Sequence, residues 1–368
     1  MKVTSTSSTK QDSAKYLVPV TCTLTIFILT LVFMCFAIGK LIPEPDIPVV
    51  SAKLRNFSAH KNDYNTIFIG SSRMYRHIVP TVFDRMMKNH GYSIQSFNFG
   101  IYGMHVPETY FLLKKILSMK PENLKWVIVE LYDLQLNIPN ANIHTDRVIY
   151  WHTLNHISWV YKLILTSDDH ILRKLNYFLD HTQPLIYNAI NLGRADELID
   201  FIFPQVKTIT RKSSAEQNIV YESPGADGYL SLEDEHDHHF QQQHKEFLSN
   251  LHYYKANIDA LTQKSRQTKH LKPYELNIIN QFIKVIKDSG ATPIFVITPL
   301  LEKQDHFISA YHQGDIPALF AFNDPETFPD LYNSDARFDQ AHLNKQGAQK
   351  FTIYLAQEFA EYMRKDKM

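Results

Sequence analysis

The chain is expected to fold as an α/β protein: a parallel sheet covered on both faces by helices, with a helical insertion and an N-terminal transmembrane helix. Three observations predict this. Short, largely apolar runs at about 66–71, 93–98, 126–132 and 292–298 read as strands buried in a sheet. The early ones alternate with stretches of helical period, the pattern of a sheet wound by crossover helices. The third is an uncharged run of 24 residues from Tyr16 to Gly39.

As a helix that run would extend roughly 36 Å and cross a bilayer core. Lys2, Lys10 and Lys15 precede it against a single Asp12, so the positive-inside rule places residues 1–15 in the cytoplasm. Residues 16–39 are then a single-pass anchor in the cytoplasmic membrane, and everything after about Lys40 is extracytoplasmic, in the periplasm. A cleaved signal peptide is the alternative. The apolar part exceeds the usual core of about 7–15 residues, and no small-x-small site follows it. Both cysteines, Cys22 and Cys35, lie inside the run, which leaves the outer domain without a disulfide.

Residues 40–60 read as a tether, because Pro43 to Leu54 holds three prolines and no strong period. The remainder suffices for one large domain or a core carrying an insertion. Charge balances at 38 basic against 38 acidic residues, and no basic stripe suggests nucleic acid as a partner.

A first core part spans 61–139. The run Thr66-Ile67-Phe68-Ile69-Gly70-Ser71-Ser72-Arg73 reads as a buried strand delivering a hydroxyl to the loop at its carboxyl end. A second strand leads into Asn98-Phe99-Gly100-Ile101-Tyr102-Gly103, and a helix carrying Tyr110, Leu113 and Leu117 ends before Pro121. The third strand is Trp126 to Leu131. In parallel sheets the ligand site lies at the carboxyl strand ends, where Ser72 and Gly103 both fall.

Between 140 and 270 the strand pattern lapses, and we read an insertion or cap. It holds Trp151, His152 and Trp159, whose rings suit sugar stacking or, more commonly, core packing. It also holds the loop Glu222 to Tyr229 and the run Glu233-Asp234-Glu235-His236-Asp237-His238-His239 with His244 behind it. That run has neither His-Glu-x-x-His spacing nor a cysteine partner, so it reads as a solvated face; no metal site and no cofactor is expected.

The second core part, 271–368, supplies the strand at 292–298 and Asp339-Gln340-Ala341-His342. From Asn344 onward, Ala348, Phe351, Leu355, Phe359 and Met363 recur at spacings of three and four, an amphipathic helix with Asn344 as its N-cap. A serine hydroxyl is a weak nucleophile until an imidazole takes its proton, and the imidazole needs a carboxylate to fix its tautomer. An Asp three residues before a His can supply one; Asp335 is the competing carboxylate.

Gly70-Ser71-Ser72, Asn98 to Gly103, and Asp339-Gln340-Ala341-His342-Leu343-Asn344 with Gly347 together resemble the SGNH (GDSL-like) hydrolase superfamily. The likeness is greater to its membrane-anchored cell-envelope branch, which includes alginate O-acetylation proteins and the D-alanyl transfer protein of teichoic acid synthesis. The resemblance implies a three-layer, flavodoxin-like α/β/α fold with Ser72, rather than Ser71, as nucleophile, His342 as general base and Asp339 as its orienting carboxylate. It implies Gly103 as an oxyanion donor. The family's oxyanion asparagine should follow the third strand closely; here the nearest is Asn137, about three residues late, which takes that role. Arg73 and Asn98 are expected at the substrate, with Arg73 and Arg76 suited to an anionic glycan or phosphate.

The expected activity is O-acetyl transfer or ester hydrolysis on an envelope or secreted polysaccharide, beside a membrane-bound O-acyltransferase partner. The alternative from another class is a non-catalytic scaffold or binding subunit of an envelope-polymer assembly, which the displaced asparagine keeps open. A general lipase-like esterase is a further one.

Overall fold

The computed structural model describes residues 8–132, 134–140, 142–203, 226–235, 237–264 and 269–365. Its centre is a five-stranded, wholly parallel sheet in the order β2-β1-β3-β4-β5. The strands are β1 (Thr66–Gly70), β2 (Ser96–Gly100), β3 (Trp126–Glu130), β4 (Thr292–Ile297) and β5 (Leu319–Ala321). β1 lies between β2 and β3, with Gly70 opposite Gly100. The chain reverses its direction of winding at β1, so the carboxyl end of β1 faces a crevice.

Alternation along the strands sends side chains to two helical layers. On one face Ile67, Ile69, Val127, Val129 and Phe295 pack with α2 (Val50–His60), α5 (Val106–Ser118) and α12 (Pro273–Asp288). On the other, Phe68, Ile128, Ile294 and Val296 pack with α4 (Pro80–Asn89) and α15 (Lys345–Lys365). Of the five residues of the expected stripe of α15, Met363 is half-buried, and Ala348, Phe351, Leu355 and Phe359 have no solvent exposure. Truncating any of the three larger ones should cost about 2–5 kcal/mol.

Three details depart from expectation. The segment read as a tether lacks regular structure only between Leu41, where the N-terminal helix ends, and Val50; Val50–His60 is helix, with Ala52 and Phe57 fully buried. Val50, Leu54 and Phe57 stand at helical spacing, which the preceding prolines obscured. β2 starts three residues later than expected, because Thr66 pairs with Ser96 and Asn65 Oδ1 accepts the Gln95 N–H just before it. β5, between α13 (Asp305–Gln313) and α14 (Pro329–Tyr332), has only three residues, too few for a periodic signal.

N-terminally, α1 (Ser8–Leu41) contains Pro19–Leu41, 23 residues long and apolar enough to cross a membrane, with none of it buried in the protein. Between β3 and β4 the regular elements among the described residues are all helical: α6 (Asp146–Trp151), α7 (Leu154–Thr166), α8 (Ile171–Ala189), α9 (Ala195–Ile202), a 3₁₀ turn at Leu232–Asp234, α10 (His238–Ser249), α11 (Leu251–Gln263) and α12. Glu222 to Gly225 and His236 lie outside the described residues. The end of that loop, Ala226 to Tyr229, lies along the outer edge of β2, where the Asn98 N–H donates to Asp227 O at 2.9 Å. A sheet edge that would otherwise present free backbone groups is thereby covered.

Candidate active site

The turn carrying Ser71 and Ser72 begins where β1 ends. Gly70 closes the strand because any Cβ there would lie 2.6 Å from Glu130 Cβ and 2.5 Å from Met74 Cγ. Ser71 caps the next helix, α3 (Ser72–His77), its hydroxyl accepting the Arg73 N–H at 3.3 Å. That use commits the Ser71 hydroxyl to the helix end; Ser72 is half-buried. Ser72 Oγ lies 2.9 Å from His342 Nε2, a distance at which the hydroxyl donates to the imidazole.

His342 sits in the loop ahead of α15, as its sequence position required. Asn344 starts the helix, its Oδ1 accepting the Gly347 N–H at 2.9 Å. His342 Nδ1 lies 2.9 Å from Asp339 Oδ2 and 3.1 Å from Oδ1, so Nδ1–H donates to the carboxylate and Nε2 is left free to accept. Asp339 Oδ1 also accepts the backbone N–H groups of Ala341 and His342, each at 2.7 Å. Burial alone would raise the Asp339 pKa, but those bonds and the nearby imidazole outweigh it and hold the carboxyl below its ordinary value. Asp335, the competing carboxylate, is exposed; its carbonyl accepts from Asn344 instead.

Three buried side chains that the sequence reading did not single out hold this geometry. Glu130, at the end of β3, accepts the Ser71 N–H at 2.6 Å through Oε2 and pairs with Arg73 Nε at 2.9 Å through Oε1. His77 accepts the Leu343 N–H at 3.0 Å, pinning the histidine loop to α3. Burial first, and then the neighbouring His342, Arg337 and Arg73, push the His77 pKa well down, so it remains a neutral acceptor. Arg337, fully buried, donates to Leu331 O and Pro299 O from the start of the same loop. A lone carboxylate closing an apolar strand was the one legible signal among these, since charged groups are seldom buried unless paired.

Gly103 follows β2 with φ +62, a left-handed conformation that a glycine adopts without strain. Its carbonyl accepts Arg147 Nη2 at 3.1 Å, and Arg147 Nη1 pairs with Glu108 at 2.8 Å in a buried ion pair. Asn137 lies with Gly103, His105, Glu108, Trp151 and His181 around a cavity of about 10 Å³. Its Oδ1 has no hydrogen-bond partner.

The two residues expected at the substrate are differently placed. Asn98 is fully buried: its Nδ2 donates to Met74 O and Ile78 O, and its Oδ1 accepts the Gly100 N–H, so it clamps α3 to β2. Arg73, besides its pair with Glu130, stacks on Tyr132 with its guanidinium carbon 3.6 Å from the ring centroid. It nevertheless borders a cleft of about 630 Å³ with Tyr132, Leu261, Lys264, Gln340 and Ala341. Neither Ser72 nor His342 lines that cleft; their chain neighbours Arg73 and Ala341 do, together with Asn257, Ala260 and Leu261 of α11. Arg76 is bound to Glu235 at 2.6 Å and to Leu230 O.

The acidic and histidine-rich run is engaged with the protein. Glu233 Oε2 accepts the Lys345 N–H, Asp234 pairs with Lys345 Nζ, and Asp237 caps α10. His244 stacks on Phe338 and lies 2.6 Å from its carbonyl. Trp151 and His152 are buried, and Trp159 packs on Tyr110 with ring centroids 4.3 Å apart. No protein-family model matches this chain, and no curated protein matches it.

Proposed function

We propose that the protein is a membrane-anchored, SGNH-like serine enzyme that transfers or hydrolyses acyl esters, most simply acetyl, on an envelope or secreted polysaccharide outside the cytoplasmic membrane. The observation that carries the reading is the Ser72–His342–Asp339 relay, with hydrogen-bond distances of 2.9 Å at each link. The sheet order with β1 at its switch point and the block likeness to the SGNH superfamily support the flavodoxin-like form of the fold.

In the first half-reaction Ser72 Oγ attacks the acyl carbonyl carbon while His342 Nε2 takes the hydroxyl proton. Asp339 keeps Nδ1 protonated and stabilises the imidazolium. Negative charge gathers on the carbonyl oxygen, where the backbone N–H groups of Ser72 and Gly103 are the assigned donors, with Asn137 as the side-chain candidate. The tetrahedral adduct collapses, the ester bond breaks, and His342 returns the proton to the departing alcohol, leaving acyl-Ser72. In the second half, His342 deprotonates a sugar hydroxyl or a water, that oxygen displaces Ser72, and the proton returns to Oγ.

Transfer competes with hydrolysis only when the acceptor is held in near-attack geometry, where effective molarities reach about 10⁵ M or more. The cleft beside Arg73 and Ala341, walled by α11, offers such a position. A membrane-bound O-acyltransferase passing acyl groups across the bilayer is the partner the family likeness implies. The test is turnover of a small acetyl ester by the purified protein: Ser72→Ala and His342→Ala should each lower it at least about a thousandfold. No turnover by the unaltered protein toward any acyl ester would favour the scaffold reading.

A further inference from the structure

α8 is an amphipathic helix turned the unusual way round for a globular domain. Its inner side packs through His181 and Pro184, the only buried residues in it. At about 100° per residue, Ile171, Leu172, Leu175, Leu179 and Ile186 fall within one outward arc of about 100°. Each of them is at least half exposed. The remaining members of the arc are Thr182 and Ala189, so no charge interrupts it. α9, which follows after a short turn, has no buried residue, and Phe201, Ile202 and Phe203 are exposed at its end. Among the described residues Tyr161 meets the arc at Thr182, while the five aliphatic side chains themselves stay exposed; contiguous apolar surface of this kind marks an interaction site.

The position of α8 identifies the occupant. Just past its carboxyl end, Asn191 Nδ2 donates to Cys35 O in α1 at 2.6 Å, and Arg194 donates to Pro43 O. Cys35 lies six residues before Leu41, the end of the apolar span, which is about 9 Å along a helix axis. The carboxyl end of α8 is therefore level with the outer part of the span rather than above it. Interfacial helices bury their apolar face about 5–10 Å into the boundary between headgroups and acyl chains, the same depth.

We propose that the outward faces of α8 and α9 lie in the outer leaflet of the membrane that α1 crosses, so that the insertion rests on lipid and fixes the site's height above the bilayer. The inference rests on α1 spanning the membrane and is independent of the chemistry at Ser72. Burial of some five large aliphatic side chains and the α9 aromatics in the interface also removes the cost of leaving them in water.

The test uses the full-length chain carrying Cys22→Ala and Cys35→Ala, reconstituted in phosphatidylethanolamine–phosphatidylglycerol nanodiscs. Spin labels are placed at Leu175→Cys, Leu179→Cys and Ile202→Cys, at Tyr253→Cys and Tyr311→Cys as exposed positions elsewhere, and at Leu29→Cys within the span. The α8 and α9 labels should show an oxygen-to-nickel-chelate accessibility ratio several-fold above those at 253 and 311, approaching that at 29. Ratios equal to those at 253 and 311 would overturn the proposal, as would shielding from both reagents, which marks contact with a second copy of the chain. A water-accessible label at position 29 would overturn the proposal through its premise, a failure separate from any at α8 and from the activity of Ser72.

Discussion

Glu130 accepts the Ser71 backbone N–H at 2.6 Å, so the carboxylate that ends one strand fixes the turn carrying Ser72 at the end of its neighbour. The same carboxylate pairs with Arg73 at 2.9 Å and accepts Thr298 Oγ1 at 3.3 Å. Breaking a buried pair strands a charge and typically costs about 3–5 kcal/mol. Glu130→Gln and Arg73→Met should each destabilise the protein on that scale, while the double variant should cost clearly less than the sum of the two. Denaturant unfolding of all four forms measures this; strict additivity would show that the pair does not hold the turn as a unit.

Ser71 and Ser72 are adjacent but do different work. Removing the Ser71 hydroxyl deletes one helix cap, worth about 0.5–2 kcal/mol, and leaves the relay to His342 intact. Ser71→Ala should therefore lower stability measurably and retain most ester turnover. Loss of turnover in Ser71→Ala, with activity kept in Ser72→Ala, would transfer the nucleophile to Ser71.

The depressed Asp339 pKa sets a direction for acid sensitivity. A carboxyl lower in the folded than in the unfolded state contributes stability that is present above the unfolded value, about 4, and is lost as pH falls through the folded value. Thermal melts of the unaltered protein should fall away below about pH 4, and Asp339→Asn should flatten that part of the profile while being less stable at pH 7. An unchanged acid limb in Asp339→Asn would place the sensitivity elsewhere.

If Asn137 donates to the oxyanion, Asn137→Ala should lower kcat by about 10²–10³ with KM little changed. A loss below tenfold would assign the hole to the backbone N–H groups of Ser72 and Gly103.

Much of this architecture was legible because it rests on local pattern. Four of the five strands and α15 with its Asn344 cap follow from apolar runs and helical spacing, and the block likeness to the SGNH superfamily is what singled out Ser72 and His342, 270 residues apart. What escaped was set by tertiary contact. Whether Asn98 faces substrate or clamps α3 depends on the backbone carbonyls of Met74 and Ile78, which no spacing reveals. His77 looked like any helical histidine until the fold placed the Leu343 N–H 3.0 Å from it. The helix Val50–His60 was hidden by the prolines before it, and its burial of Phe57 comes from a sheet formed later in the chain.

The most direct test of the relay is covalent. The full-length protein is incubated with a fluorophosphonate, a probe that reacts with an activated serine oxygen, and the adduct is located by peptide mass spectrometry. One adduct per chain on Ser72, abolished in His342→Ala, is the expected result. Absence of any adduct in the folded, unaltered protein, or labelling that is indifferent to His342, would contradict an activated serine at the end of β1.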